Sequence, residues 1–204
     1  MKMNLPNKLT VLRLCLVPIL IVVGMIPMNF YLSCFICAII FIVASLTDML
    51  DGKIARKYNL ITDFGKFLDP IADKFMVIGT LFILLYKEEF YSIRTPMIFV
   101  ILVIVFRELA VTSMRLVVST GQNIVIAANY LGKLKTVSQI VFICAAFLEP
   151  LIQLAAVKIF AIAGYTPGAI LPLTYVTMAF TIIMTVWSGI NYIVGYWKYL
   201  DPEK

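Results

Sequence analysis

Residues 14–47 are 34 consecutive uncharged positions, and no other feature of the chain limits its fold so strictly. A helix needs about 20 apolar residues to cross the hydrocarbon core of a bilayer, so this stretch holds most of two crossings. Pro27-Met28-Asn29 interrupts it near the middle, which predicts helices over 14–27 and 30–52. A second uncharged stretch, 39 residues from 159 to 197, contains another helix, read as 171–197. Between the two, apolar segments interrupted by charges predict spans over 64–86, 95–118 and 127–149. Only 14% of the 204 residues are charged and 62% are hydrophobic. A water-soluble domain carries about 25% charged residues. The fold class that follows is an all-α integral membrane protein with six transmembrane helices, forming a single domain over 1–204.

Two flanking segments are too short to span. In residues 5–16, Leu5, Leu9, Leu12 and Leu16 recur at helical spacing, with Asn7, Lys8 and Arg13 elsewhere on the wheel. That pattern predicts an N-terminal interfacial amphipathic helix. Residues 150–165 are apolar but hold Gln153 and Lys158 and end at Gly164, before Pro167-Gly168. They read as a short interfacial or re-entrant helix, with a seventh span as the competing reading.

The net charge of +6 suits a membrane protein facing anionic lipid, and no nucleic acid is needed to explain it. With six spans and both termini cytoplasmic, the external ends hold Lys87, Arg94 and Lys158, and 14 of the 17 basic residues fall on the cytoplasmic side. Histidine is absent, which excludes imidazole-based zinc chemistry and leaves Asp, Glu, Lys, Tyr or Cys as a general base. Cys34 and Cys37 form a CxxC inside an apolar run and read as buried packing residues.

The charges that interrupt the spans are concentrated. Asp48 and Asp51 end the second helix, Asp69 and Asp73 open the third, Arg107, Glu108 and Arg115 lie on the fourth, and Lys133 and Lys135 on the fifth. Each charge in hydrocarbon costs about 2.5–3.5 kcal/mol on insertion scales, which argues for a polar cavity open to the cytoplasm. Scattered interhelical salt bridges would explain Glu108 with Lys133 or Lys135, but not the excess of carboxylates. Asp48, Asp51, Gly52 and Ala55 share one helical face, and Gly65, Asp69 and Asp73 share another. Four carboxylates aimed at one point require cations among them, and all-oxygen donors favour Mg2+ or Mn2+. Gly52, Ala55 and Gly65 keep the wall low, so a bulky group can approach the backbone. A cation transporter would also use membrane carboxylates, but it would place them near the midplane with access from both sides.

Residues 48–73 read DMLDGKIARKYNLITDFGKFLDPIAD, that is D-x2-D-G-x2-A-R-x8-G-x3-D-x3-D. This resembles the signature of the CDP-alcohol phosphotransferase family at every position. Eight fixed positions give a chance match on the order of 10⁻⁸ per chain. The resemblance implies a pair of divalent metals bound by Asp48, Asp51 and Asp69, with Asp73 as general base and a further metal ligand. It also implies that Gly52, Ala55 and Gly65 give the cytidine of a CDP-linked donor room, that Arg56 contacts the nucleotide, and that the protein is a homodimer.

Segments outside the signature resemble the branch of the family whose acceptor is sn-glycerol 3-phosphate. They are Asn4-Leu5-Pro6-Asn7-Lys8-Leu9-Thr10 with Arg13, Arg107-Glu108 with Arg115, and Gly132-Lys133-Leu134-Lys135-Thr136 with Gln139. The resemblance therefore implies transfer of a phosphatidyl group from CDP-diacylglycerol to sn-glycerol 3-phosphate with release of CMP. Inositol phosphate or phosphatidylglycerol are the alternative acceptors. Arg107, Arg115, Lys133 and Lys135 form a basic wall, which suits an acceptor carrying its own phosphate.

Overall fold

The computed structural model describes residues 4–58, 60, 62–122, 130–160 and 165–197, with the side chains of residues 56, 66 and 119–122 outside that description. Among the described residues the structure consists of six long helices: α1 (Leu5–Met25), α2 (Phe30–Lys57), α3 (Asp63–Tyr86), α4 (Tyr91–Gln122), α5 (Tyr130–Phe160) and α6 (Pro172–Tyr196). A single 3₁₀ turn, Glu88–Phe90, joins α3 to α4. Five of the six are long and apolar enough to cross a membrane. The exception is α3, whose first half carries Asp63, Lys66, Asp69, Asp73 and Lys74.

Most helix ends follow local rules. Asn4 caps α1 by accepting from Asn7 N at 3.1 Å, and Asn29 caps α2 by accepting from the amides of Tyr31 and Leu32. Thr62 caps α3, accepting from Gly65 N at 3.1 Å.

Two expectations are corrected. Residues 5–16 do not form a separate interfacial helix but make the first turns of α1, which runs unbroken through Pro18. Apart from Lys8, which is exposed, its polar face is turned into the bundle. Asn7, Thr10 and Arg13 are all buried against α2 and α3, so the helix enters the bundle instead of lying on the bilayer surface.

Residues 150–160 likewise are no re-entrant element and no seventh span; they continue α5 past Pro150. Residues 161–164 lie outside the described residues. Polar side chains hold this last part of α5 to the loop that follows. Gln153 Nε2 donates to Ile170 O at 2.9 Å, and Gly168 N donates to Gln153 Oε1 at 2.8 Å. Gly168 has φ +89°, a left-handed conformation that glycine adopts freely.

In lipid, helices associate by close packing and not by leaving water. The inward faces carry Phe41, Leu81, Leu84, Met97, Phe142 and Phe147, all fully buried. Phe30, Phe90 and Phe147 meet edge to face across helices, with centroids 5.3 and 6.5 Å apart. Outward faces expose Phe99, Leu102 and Phe106 on α4 and Val176 and Val194 on α6, as acyl chains require. A Cβ on Gly24 would lie 2.5 Å from Ile83 Cγ2, and one on Gly79 would lie 3.1 Å from Ile21 Cδ1. These two glycines let α1 and α3 approach closely, which brings Thr10 and Arg13 against the acidic turns of α3.

Glu149 shows how this bundle satisfies a buried charge away from the site. It is 5% exposed and accepts from Leu173 N at 2.9 Å, Thr174 N at 2.7 Å and Thr174 Oγ1 at 2.7 Å. A side chain of α5 thus caps the N-terminus of α6, where the helix dipole favours an anion. Glu149→Leu should cost about 2 kcal/mol or more through the three lost charge-assisted bonds. In detergent that corresponds to a fall in Tm of roughly 4–8 °C. An unchanged Tm would show that the start of α6 is held by other contacts.

Candidate active site

Three helices converge on one side chain. Arg13 of α1 is fully buried, with Nη1 2.6 Å from both Asp48 Oδ1 and Asp73 Oδ1, and Nη2 paired with Asp51 Oδ2. One turn earlier, Thr10 Oγ1 lies 2.8 Å from Asp69 Oδ1 and 3.4 Å from Asp51 Oδ2. The four aspartates are thus brought together from α2 and α3, and α1 supplies the groups between them. Their side chains are graded in exposure, from 6% for Asp51 through 34% for Asp48 to 47% for Asp73. The cluster has a closed floor and an open rim.

Beside it lies a cavity of about 170 Å³, lined by Asp51 and Asp69, by Gly52, Ala55 and Gly65, and by Asn7 and Thr10 of α1. A Cβ on Gly65 would come within 3.0 Å of Asn7 Oδ1 and 3.3 Å of Thr62 Oγ1. Glycine is therefore what admits Asn7, which accepts from Thr62 Oγ1 at 2.9 Å. Asn4 Nδ2 donates to Leu60 O at 2.9 Å, fastening the start of α1 to the connection between α2 and α3. Arg56 lies on α2, and its side chain is outside the described residues.

The basic residues gather on α4 and α5, and two of them are held by side chains of α6. Glu108 Oε1 pairs with Lys135 Nζ and lies 3.2 Å from Arg107 Nη1. Arg107 Nη2 donates to Ser188 Oγ at 2.6 Å. The guanidinium groups of Arg107 and Arg115 lie 5.7 and 5.0 Å from the ring centroid of Tyr192, and Arg115 also donates to its hydroxyl. Gly189 permits this packing, since a Cβ there would sit 3.3 Å from Arg107 Cγ. Lys135 is buried, whereas Lys133 and Arg115 are exposed. Two cations, Arg107 and Lys135, meet one carboxylate in this cluster. Lys74, next to Asp73 on α3, is close enough to act electrostatically on Glu108 and Lys135, so the acidic and basic clusters share one end of the bundle.

The structure brings into the site Thr10 and Arg13, which the sequence marks only through the resemblance of the N-terminal segment, and Lys74, Ser188 and Tyr192, which no motif marks. Asn7, Thr10 and Arg13 recur every three residues, a polar stripe that, Lys8 apart, is the only one on α1. Ser188 and Tyr192 lie inside the long uncharged stretch, where no pattern separates them from packing residues.

Among the described residues no three acidic side chains are arranged to hold a metal ion as they stand, and the guanidinium of Arg13 lies between Asp48, Asp51 and Asp73. The donor set nevertheless suits a hard divalent cation. All four groups are carboxylates, and one guanidinium cannot balance them.

Fold and site together define a multi-pass helical membrane protein with opposed acidic and basic clusters at one end of its bundle. The family model for CDP-alcohol phosphatidyltransferases matches residues 3–190. The chain is 42% identical over 158 residues to CDP-diacylglycerol–glycerol-3-phosphate 3-phosphatidyltransferase of Bacillus subtilis (strain 168), covering 72% of this chain and 78% of that protein. It is 31% identical over 196 residues to the Haemophilus influenzae protein of the same name, covering 95% and 93% of the two chains. The Escherichia coli K12 protein of that name is 30% identical over 198 residues, covering 95% and 94%. The chain belongs to the CDP-alcohol phosphatidyltransferase family.

The Glu108–Lys135 pair generates a direct test of the basic cluster. Both side chains are largely buried, at 15% and 5% exposure, so removing one partner strands the other. Lys135→Met should cost about 3 kcal/mol, whereas Glu108→Gln with Lys135→Met should recover a substantial part of that loss. The measurement is unfolding of the two single variants and the double variant in detergent. Additive losses would mean that the pair contributes nothing as a pair.

Proposed function

We infer that this CDP-alcohol phosphatidyltransferase moves the phosphatidyl group of CDP-diacylglycerol onto sn-glycerol 3-phosphate, giving phosphatidylglycerophosphate and CMP. The observation that carries the reading is the division of one bundle end into an acidic half and a basic half. A diphosphate donor needs cations between itself and the aspartates, and an acceptor bearing its own phosphate needs the surplus cations of the other half. The relatives' shared name supports the same pair of substrates.

Asp48, Asp51, Asp69 and Asp73 would hold two divalent ions, Mg2+ or Mn2+. Bound there, such ions would neutralise the diphosphate and stabilise the entering and leaving oxygens of an in-line displacement. The chain's own residues do the rest. Gly52, Ala55 and Gly65 keep the cavity open for the cytidine, and Arg56, next to Ala55 in sequence, would contact the nucleotide. Arg115 and Lys133, which are exposed, draw in the acceptor's phosphate, while Arg107 and Lys135, engaged with Glu108, add their charge to the same wall and orient the hydroxyl toward the acidic half. The hydroxyl oxygen attacks the phosphorus that carries the diacylglycerol, the P–O bond to CMP breaks, and the hydroxyl proton passes to Asp73. Asp73 suits that role because its carboxylate is the most open of the three bound to Arg13.

The experiment is CMP release by the purified protein, with each substrate varied separately. Turnover should require Mg2+ or Mn2+, and Asp48→Asn, Asp51→Asn and Asp69→Asn should each abolish most of it. Asp73→Asn should lower kcat by roughly 100-fold or more while sparing donor binding. Arg115→Met and Lys133→Met should raise KM for sn-glycerol 3-phosphate by roughly 10-fold or more, with little change for the donor. Full turnover in excess chelator, or a preference for uncharged glycerol, would overturn the assignment.

The distribution of basic residues supports an orientation with both termini and the site on the cytoplasmic side. In sealed cells, after replacement of the native cysteines, Glu89→Cys should react with an impermeant thiol reagent and Tyr58→Cys should not. Equal labelling at the two positions would refute that orientation.

A further inference from the structure

We propose that Arg13 is an exchangeable internal counter-cation, holding the aspartate cluster assembled while no metal is bound and giving up its ion pairs when divalent cations enter. The inference rests on the reading of Asp48, Asp51, Asp69 and Asp73 as metal ligands, and it concerns a residue outside that ligand set.

Three observations support it. The first is position: Arg13 has no exposed side-chain surface, and its two terminal nitrogens are bonded to Asp48, Asp51 and Asp73. The guanidinium therefore stands where cations shared by these carboxylates would stand, and both cannot occupy the same oxygens at full strength. The second is how the guanidinium is bonded. Nη1 is shared between two carboxylates, and Nε is buried with no hydrogen-bond partner among the described residues. A guanidinium serving only as a permanent buried anchor would be expected to have every N–H bonded, since a buried unmet donor is costly. The third is charge. Without Arg13 the four carboxylates would repel one another at the junction of α2 and α3, and one guanidinium cannot balance four carboxylates, so the cluster still favours divalent ions.

The consequence is a competition. In metal-free protein Arg13 screens the cluster and keeps α1, α2 and α3 together. On metal binding its attraction becomes a repulsion, so the guanidinium must leave the focus.

The test uses the full-length protein in detergent and reads the unfolding temperature against Mg2+ concentration, starting from chelator, for wild type, Arg13→Met and Arg13→Lys. Wild type should be stabilised by Mg2+ with a measurable half-saturation. Arg13→Met should unfold well below wild type in chelator and regain most of the difference at saturating Mg2+. Its half-saturation should fall roughly tenfold or more, the effect of one close unit charge on a divalent ion even at the dielectric of water. Arg13→Lys keeps the charge but not the fork, and should lie between the two. If Arg13→Met cannot be purified, the lysine variant alone tests the same shift. An equal loss of stability with and without Mg2+, at unchanged half-saturation, would make Arg13 a purely structural anchor and overturn the proposal. A weaker Mg2+ response in either variant would also overturn it, by placing Arg13 among the groups that help hold the ions. A wild type that does not respond to Mg2+ would instead overturn the metal reading on which the inference rests.

Discussion

A fully buried guanidinium bonded to carboxylates from two other helices decides how one end of this bundle is assembled. A charge removed from water must be paired, and breaking such a pair by removing one partner costs several kcal/mol. Arg13 therefore sets the height of α1 against α2 and α3. A slip of one helical turn, about 5.4 Å, would strand both the cation and its partners. Glycines further along the same helices complete the fit. Gly24 lies against Ile83 and Gly79 against Ile21, so α1 and α3 touch where a larger side chain would force them apart.

The molecule treats its polar groups differently at its two ends. Away from the site, Glu149 has its carboxylate filled by three donors at the start of α6, and Gln153 ties the end of α5 to the following loop. Nothing there asks for a ligand. At the site, the aspartates outnumber their guanidinium, and the cations around Glu108 outnumber their carboxylate. Uncompensated charge of both signs, at one end of a bundle otherwise closed by apolar packing, is what gives the protein chemistry to perform. Lys74 lies between the two halves, adjacent in sequence to Asp73 and near Glu108 and Lys135.

The separation of signs also suits a reaction between two anionic substrates. A lipid diphosphate and a phosphate monoester repel one another in water, and a site that binds both must supply positive charge twice. Mobile divalent cations held by carboxylates can supply it on one side. On the other side, fixed guanidinium and ammonium groups supply it directly. Tyr192 contributes by seating two arginines on one ring, which holds like charges side by side at the mouth of the basic half.

By itself the sequence determined the solvent, the helices and the acidic motif. Long uncharged runs permit no fold but membrane helices, and Asp48, Asp51, Asp69 and Asp73 fall on helical faces by spacing alone. These are local properties, legible because a helix repeats every few residues. Tertiary structure decided what those local properties could not. The polar residues of 5–16 find their partners on α2 and α3, and the end of α5 is held by Glu149 to the start of α6 and by Gln153 to the loop before it. Arg13 finds its carboxylates 35, 38 and 60 residues away, and Arg107 and Arg115 find Ser188 and Tyr192 at separations of 81 and 77 residues. Periodicity carries no information over such distances. A charge inside a bilayer must have a partner, but only the packing of the helices decides which one it has.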